Sequence, residues 1–230
     1  ADPLSLLLSL AILTHVWRIQ DLFPILGAIK LPLLVSLAAV GCYVLDKDPR
    51  RRLRGLRHPV LRWATAIGTL IFLSIPLSLY PGLSLRFLLK DFAQTFALMV
   101  MLAGSIRAFS DFRRYLFANL AGATIYCLIV LSRYQVDAKG RLGELVYYDA
   151  NDLAMLTVCT LPIAIFFLRT SKRRIWRLLA LALILLLLFT IIKTGSRGGF
   201  LGLVAVVGFM LVAFPAIRQR FRVAAAAGIF

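Results

Sequence analysis

Two short polar stretches interrupt the long apolar runs of this chain with residues able to do chemistry. The first is Lys193-Thr194-Gly195-Ser196-Arg197-Gly198-Gly199, set between a nearly unbroken apolar run from Leu178 to Ile192 and another from Phe200 to Ala216. Charge kept at a membrane boundary is costly to bury. The glycines predict a tight turn whose backbone can approach a ligand. Ser196 is positioned to cap the following helix, which would aim unpaired N–H groups and the positive end of a helix dipole at whatever Arg197 binds. A guanidinium favours a planar, bidentate partner such as phosphate, and Lys193 adds a second point charge one helical turn back. A plainer reading stands beside this one. Gly195/Gly199 and Gly198/Gly202 are small-xxx-small pairs that let helices pack closely, and an Arg at a span end can simply snorkel.

The second stretch is Tyr147-Tyr148-Asp149-Ala150-Asn151-Asp152-Leu153-Ala154, at the mouth of another apolar run. Asp149 or Asn151 can cap that helix, and an acid in its first turn suits the dipole. Asp152, at or within the membrane boundary, calls for a cationic partner that Arg86, Lys193 or Arg197 could supply. Glu144, Asp149 and Asp152 are the acids available on that side for proton transfer.

Such stretches need a scaffold, and composition defines it. Of 230 residues 61% are hydrophobic and 16% charged, with a mean hydropathy of +0.88. A soluble domain is about half apolar. Runs near 20 residues predict an all-α, polytopic transmembrane helical bundle, and the alternating strands of an outer-membrane barrel are not seen. A net charge of +17 would point to nucleic acid in a soluble chain. Here loop bias accounts for it, so no nucleic-acid partner is expected; the partner is the membrane itself. Cys42, Cys127 and Cys159 lie in apolar runs without metal-ligand spacing and read as small core residues, so no metal is expected.

The predicted spans are Pro3–Trp17, Leu31–Leu45, about Trp63–Tyr80 with a late break at Pro76, about Phe92–Ile106, Tyr115–Ser132, about Ala150–Leu168, Leu178–Ile192 and Phe200–Ala216. Between them, Pro81 to Asp91 is expected to be a brief turn carrying Arg86 and Lys90, and Arg133 to Asp149 a longer polar loop. Placing the basic Asp46–Arg62 loop inside assigns 18 Lys/Arg to inner loops and 9 to outer ones. That two-to-one bias supports eight spans with both ends inside. Lys193, Arg197, Arg133 and Arg86 then face outward. The inner basic clusters need no ligand beyond orientation and anionic lipid. No cleavable signal peptide is read at the start. Val223 to Phe230 has the composition of a ninth span just begun, so residues 1–230 are expected to form a single transmembrane domain, the N-terminal part of a larger protein.

The two stretches also carry a resemblance. Asp149-Ala150-Asn151-Asp152-Leu153-Ala154 resembles the D-P/A-N-D-L/F-A motif, and Thr194-Gly195-Ser196-Arg197-Gly198-Gly199 the T-x-S-R-G-G turn, of the O-antigen ligase and polymerase superfamily, in the same order and two spans apart. The resemblance implies a metal-independent, inverting glycosyltransferase of the bacterial inner membrane with no cofactor. It would take a glycan from undecaprenyl pyrophosphate and pass it, on the periplasmic face, to lipid A-core, a growing polysaccharide or a protein hydroxyl. Arg197 and Asp152 would be catalytic, and Arg86, Lys193, Ser196, Arg133, Asp149 and Asn151 would bind substrate. The chain departs from the family over the base, a His in a long outer loop downstream of the turn. His58 falls in the inner basic loop, and His15 reads as a packed or interfacial side chain. The expectation is that the loop with the base lies beyond this chain. Two other readings remain at this stage: a transporter or flippase of pyrophosphate lipids, which would favour helices broken in mid-membrane, and a membrane scaffold without chemistry.

Overall fold

The computed structural model describes residues 3–18, 30–46, 59–106, 108–133, 142 and 148–213. Among them the secondary structure is helical and no strand forms. The helices are α1 (Pro3–Trp17), α2 (Leu31–Leu45), α3 (Pro59–Ser74), continued by a 3-10 turn (Ile75–Leu77), α4 (Pro81–Arg86), a π-helical stretch (Phe87–Phe92), α5 (Ala93–Ser105), α6 (Phe109–Arg133), α7 (Ala150–Thr170), α8 (Arg174–Thr194) and α9 (Arg197–Ala213). Five helical stretches are long and apolar enough to cross a membrane: Pro59–Leu77, Pro81–Ser105, Phe109–Arg133, Ala150–Thr170 and Arg174–Thr194. Pro3–Trp17, Leu31–Leu45 and Arg197–Ala213 are shorter apolar helices.

Helix exteriors identify the solvent. Leu178, Leu181, Leu185, Phe189 and Ile192 of α8 are exposed, as are Phe200, Leu201, Val204 and Phe209 of α9, while Leu187 and Ile191 of α8 are buried. A helix apolar on its outer as well as its inner face belongs in lipid rather than water. The chain is a helical membrane protein.

The described residues fall into two compact units: those within Ala1–His15 and Ala28–Ala118, and those within Val16–Gly27 and Asn119–Phe230. In the first, Leu4, Leu8, Ala39, Met101 and Tyr115 form a core, with Leu7, Ile12, Leu98 and Leu102 packed on it. Two polar contacts brace that unit, while Ser36 Oγ on α2 is buried without a hydrogen-bond partner among the described residues. The Tyr115 and Ser105 hydroxyls are 2.8 Å apart, and Arg114 Nη1 donates to Ser5 Oγ at 2.8 Å.

The second unit is organised on α7, which packs along both α8 and α9. Leu153, Ala154, Thr157, Val158, Leu161 and Ala164 recur at three- and four-residue steps to form its buried face. Its hydroxyls are satisfied without leaving the helix: Thr157 donates to the Leu153 and Ala154 carbonyls at 2.9 and 2.8 Å, and Thr160 to that of Leu156 at 2.8 Å. Thr160 also reaches Asn119 Oδ1 on α6, at 3.4 Å. Cys127 is buried in α6, but Cys159 is exposed on α7, so the reading of all three cysteines as core residues holds only in part.

One connection differs from expectation. Pro81 to Asp91 is not a turn; Pro81 begins a helix that runs to Ser105 through the π-helical stretch. The turn is Ser78 to Tyr80, where Ser78 Oγ accepts from Tyr80 N–H at 3.2 Å and from Ser84 Oγ at 2.8 Å. Proline at the first helical position loses no hydrogen bond and arrives with φ already helical, so the Pro-Gly pair opens a helix here instead of ending one. The remaining boundaries lie within a few residues of the predicted ones, except that α6 starts six residues earlier, at Phe109, and α3 and α8 each start four earlier. The basic residues from Lys47 to Arg57, Arg107, Lys139, Arg141, Glu144 and everything from 214 to 230 lie outside the described residues.

Candidate functional site

The turn between α8 and α9 is two residues long, and each residue has a distinct task. Gly195 closes α8 in the left-handed region, at φ 57°, and its N–H donates to the Ile192 carbonyl at 3.1 Å. Only glycine takes that conformation without strain, and this is the usual way a helix ends before a sharp reversal. Ser196 then caps α9: its Oγ accepts from Gly199 N–H at 3.0 Å, three residues on, as an N-cap side chain should. Its own N–H donates to Thr194 Oγ1 at 3.3 Å, and Thr194 donates to the Ile191 carbonyl at 2.7 Å. Thr194 and Ser196 are both buried.

The start of α7 meets this turn. Asp149 is the N-cap, with Oδ1 accepting from the N–H groups of Asn151 and Asp152, both at 2.7 Å. Asn151 is thereby free of the capping role, and its Oδ1 accepts from Ser196 Oγ at 2.8 Å. Ser196 thus joins three parts: the end of α8, the start of α9 and the start of α7. Below it α9 lies so close to α7 that a β-carbon on Gly199 would collide with the Ala154 methyl, and one on Gly202 would sit 3.6 Å from Val158. Leu142 is buried and donates its N–H to the Lys193 carbonyl, in the last turn of α8, at 3.0 Å.

The charged groups stand around this junction rather than in it. Arg197 and Asp152 are exposed. Arg197 and Gly198 open α9, where N–H groups have no acceptor within the helix and the dipole is positive. Lys193 is half-buried with Nζ 5.5 Å from the Phe189 ring centre, a cation–π contact. Neither Lys193 nor Arg197 forms an ion pair with Asp152, so the partner expected for that carboxylate is not supplied from this turn. Its place explains why: in the first turn of α7 and open to solvent, the helix dipole and water suffice.

Of the sequence-predicted residues, the structure therefore brings together Asp149, Asn151 and Ser196, with Asp152, Lys193 and Arg197 bordering them. Arg133 is exposed in the last turn of α6. Arg86 belongs to the first unit, in the last turn of α4, beside a cavity of about 670 Å³ that Ser84, Lys90 and Asp91 also line. His15 is engaged: Nδ1 lies 2.8 Å from the Ala11 carbonyl, leaving Nε2 to face the Gln94 amide at 3.3 Å. His58 lies outside the described residues. Sequence reasoning gave no role to Thr194, Ala154 or Leu142. Thr194 had a signal, a hydroxyl two residues before the cap; a lone leucine in a polar loop was the only mark of Leu142.

The packing account of the glycines is correct for Gly199 and Gly202, which face α7. It does not reach Arg197 or Gly198, which are exposed at the head of α9, with nothing nearer to a Gly198 β-carbon than Ser196 Oγ at 3.9 Å. Comparison of the chain with protein-family models, curated proteins and solved structures finds no match in any of the three.

Proposed function

We propose that this chain is part of a metal-independent, inverting glycan transferase of a bacterial inner membrane, with eight spans and the Ser196 junction on the periplasmic side. Its donor is a glycan on undecaprenyl pyrophosphate; its acceptor is a hydroxyl of a lipid, polysaccharide or protein. The observation that supports this most is the Ser196–Asn151 hydrogen bond. Residues 45 positions apart, singled out for their chemistry, meet at one helix end and leave a guanidinium exposed above it.

A glycosyl pyrophosphate already contains its leaving group. The acceptor oxygen bonds to the anomeric carbon from the side opposite the pyrophosphate, the bond from that carbon to the pyrophosphate oxygen breaks, and its electron pair leaves on the pyrophosphate. What the protein must supply is stabilisation of that growing charge and a base for the hydroxyl proton. Arg197 supplies the first in this reading, with the α9 N-terminus and Lys193 beside it. Arg133 is a further cation for the donor in the same unit. Asp152 is the exposed carboxylate nearest in sequence to the junction, and the reading makes it a proton acceptor or a positioner of one.

Arg197→Lys tests the assignment, because lysine retains charge and stem but lacks the planar fork. Loss of a charged hydrogen bond costs about 1.5–3 kcal/mol, so transfer by the intact protein should fall roughly ten- to hundredfold at unchanged expression. Wild-type transfer by that variant would return the turn to helix packing.

A further inference from the structure

At the opposite end of α7 the chain holds a second site of different chemistry. α7 and α9 touch at Gly199 and Gly202 and separate beyond them, leaving a groove of about 630 Å³. Its walls are apolar, formed by Ile165 and Phe166 on α7 and by Ala205, Phe209 and Met210 on α9. Pro162 lines one end, and Arg169 and Thr170 the other. From Pro162 to Arg169 is seven residues, roughly 10 Å along a helix.

Three observations specify the occupant. Trp176 and the exposed cations Lys172, Arg173, Arg174 and Arg177 follow Arg169 directly, and an aromatic beside a basic cluster marks headgroup depth. The groove therefore runs from that depth into hydrocarbon. Secondly, no Asp or Glu occurs between Leu153 and Arg177, so the five Lys/Arg from Arg169 to Arg177 have no acid beside them in the sequence. Thirdly, Thr170 spends its hydroxyl on the Phe166 carbonyl at 2.9 Å, leaving the guanidinium of Arg169 as the charged group at the mouth.

We infer that this groove binds one anionic phospholipid, an acyl chain lying between α7 and α9 and the headgroup phosphate on Arg169. The site is independent of glycan transfer. It requires only that the chain sits in a membrane, and anionic lipid is the one abundant membrane component that supplies both the chain and the missing negative charge.

Native mass spectrometry of the whole protein, titrated in detergent with phosphatidylglycerol and separately with phosphatidylcholine of equal chain length, tests it. The wild type should retain one phosphatidylglycerol in preference to phosphatidylcholine. Arg169→Gln should lower that preference about fivefold or more. Ala205→Phe, which fills the groove without touching charge, should weaken retention of both lipids while the thermal midpoint is held. Lys172→Gln with Arg173→Gln should leave the preference largely intact. The inference is overturned if wild type shows no preference, if the Lys172/Arg173 pair matters as much as Arg169, or if Ala205→Phe binds lipid like wild type because another segment of the chain fills the groove.

Discussion

The turn from α7 to α8 and the turn from α8 to α9 are both short, both border exposed arginines, and are built in opposite ways. Ser171 to Arg173 relies on backbone alone: Ser171 N–H donates to the Phe167 carbonyl at 3.0 Å, and Arg173 precedes α8 without a side-chain cap. Gly195 and Ser196 carry a left-handed residue, a serine cap, a threonine buttress and a bond to Asn151. Cations that act through charge need only be near lipid headgroups, and snorkelling side chains find them. A cation that must meet a ligand at fixed geometry needs a fixed backbone beneath it. The comparison thus separates the basic cluster at Lys172–Arg177 from Arg197, although residue type alone does not.

Breaking the built turn should cost far more than disturbing the other. The largest effect is expected of Gly199→Ala, since the Ala154 methyl it meets is fixed to the α7 backbone and cannot swing away. Overpacking of this kind costs about 1–3 kcal/mol. The variant should show a lowered thermal midpoint in detergent, restored by Ala154→Gly in the same chain; failure of that rescue would mean the two helices do not meet there. Next comes Gly195→Ala, for which the positive φ predicts about 1–2 kcal/mol and a smaller fall in the same midpoint. The smallest change belongs to Lys172→Gln with Arg173→Gln, expected within about 0.5 kcal/mol of wild type. A fall as large as that of Gly195→Ala would show that the basic turn is built after all.

The built turn was half legible in the sequence. A serine followed by Arg-Gly-Gly at the head of an apolar run announces a cap, because capping is decided within four residues. The glycine before it announces a reversal for the same local reason. What no local rule supplies is the choice of Asn151 over Asp149 as the partner of Ser196, since that choice depends on how α7 and α9 approach each other. The apolar helices too were legible, as runs of Leu, Ile and Phe have few alternatives in lipid, although among the described residues only five of the eight predicted spans are helices long enough to cross. Pro81-Gly82 misled because the same dipeptide can punctuate a turn or open a helix; the helix won once Ser78 had closed the turn before it.

The junction between Asn151 and Ser196 is where packing, capping and the proposed chemistry converge, and a double-mutant cycle measures it directly. Asn151→Ala, Ser196→Ala and the pair together would be compared by thermal unfolding of the purified protein. Ser196→Ala alone forfeits a cap, worth about 1 kcal/mol. Residues in direct hydrogen-bond contact show coupling of roughly 0.5–3 kcal/mol, so the double variant should be little less stable than Ser196→Ala by itself. Losses that simply add would contradict the account, because they would make the two stretches independent and leave Arg197 on an ordinary helix end.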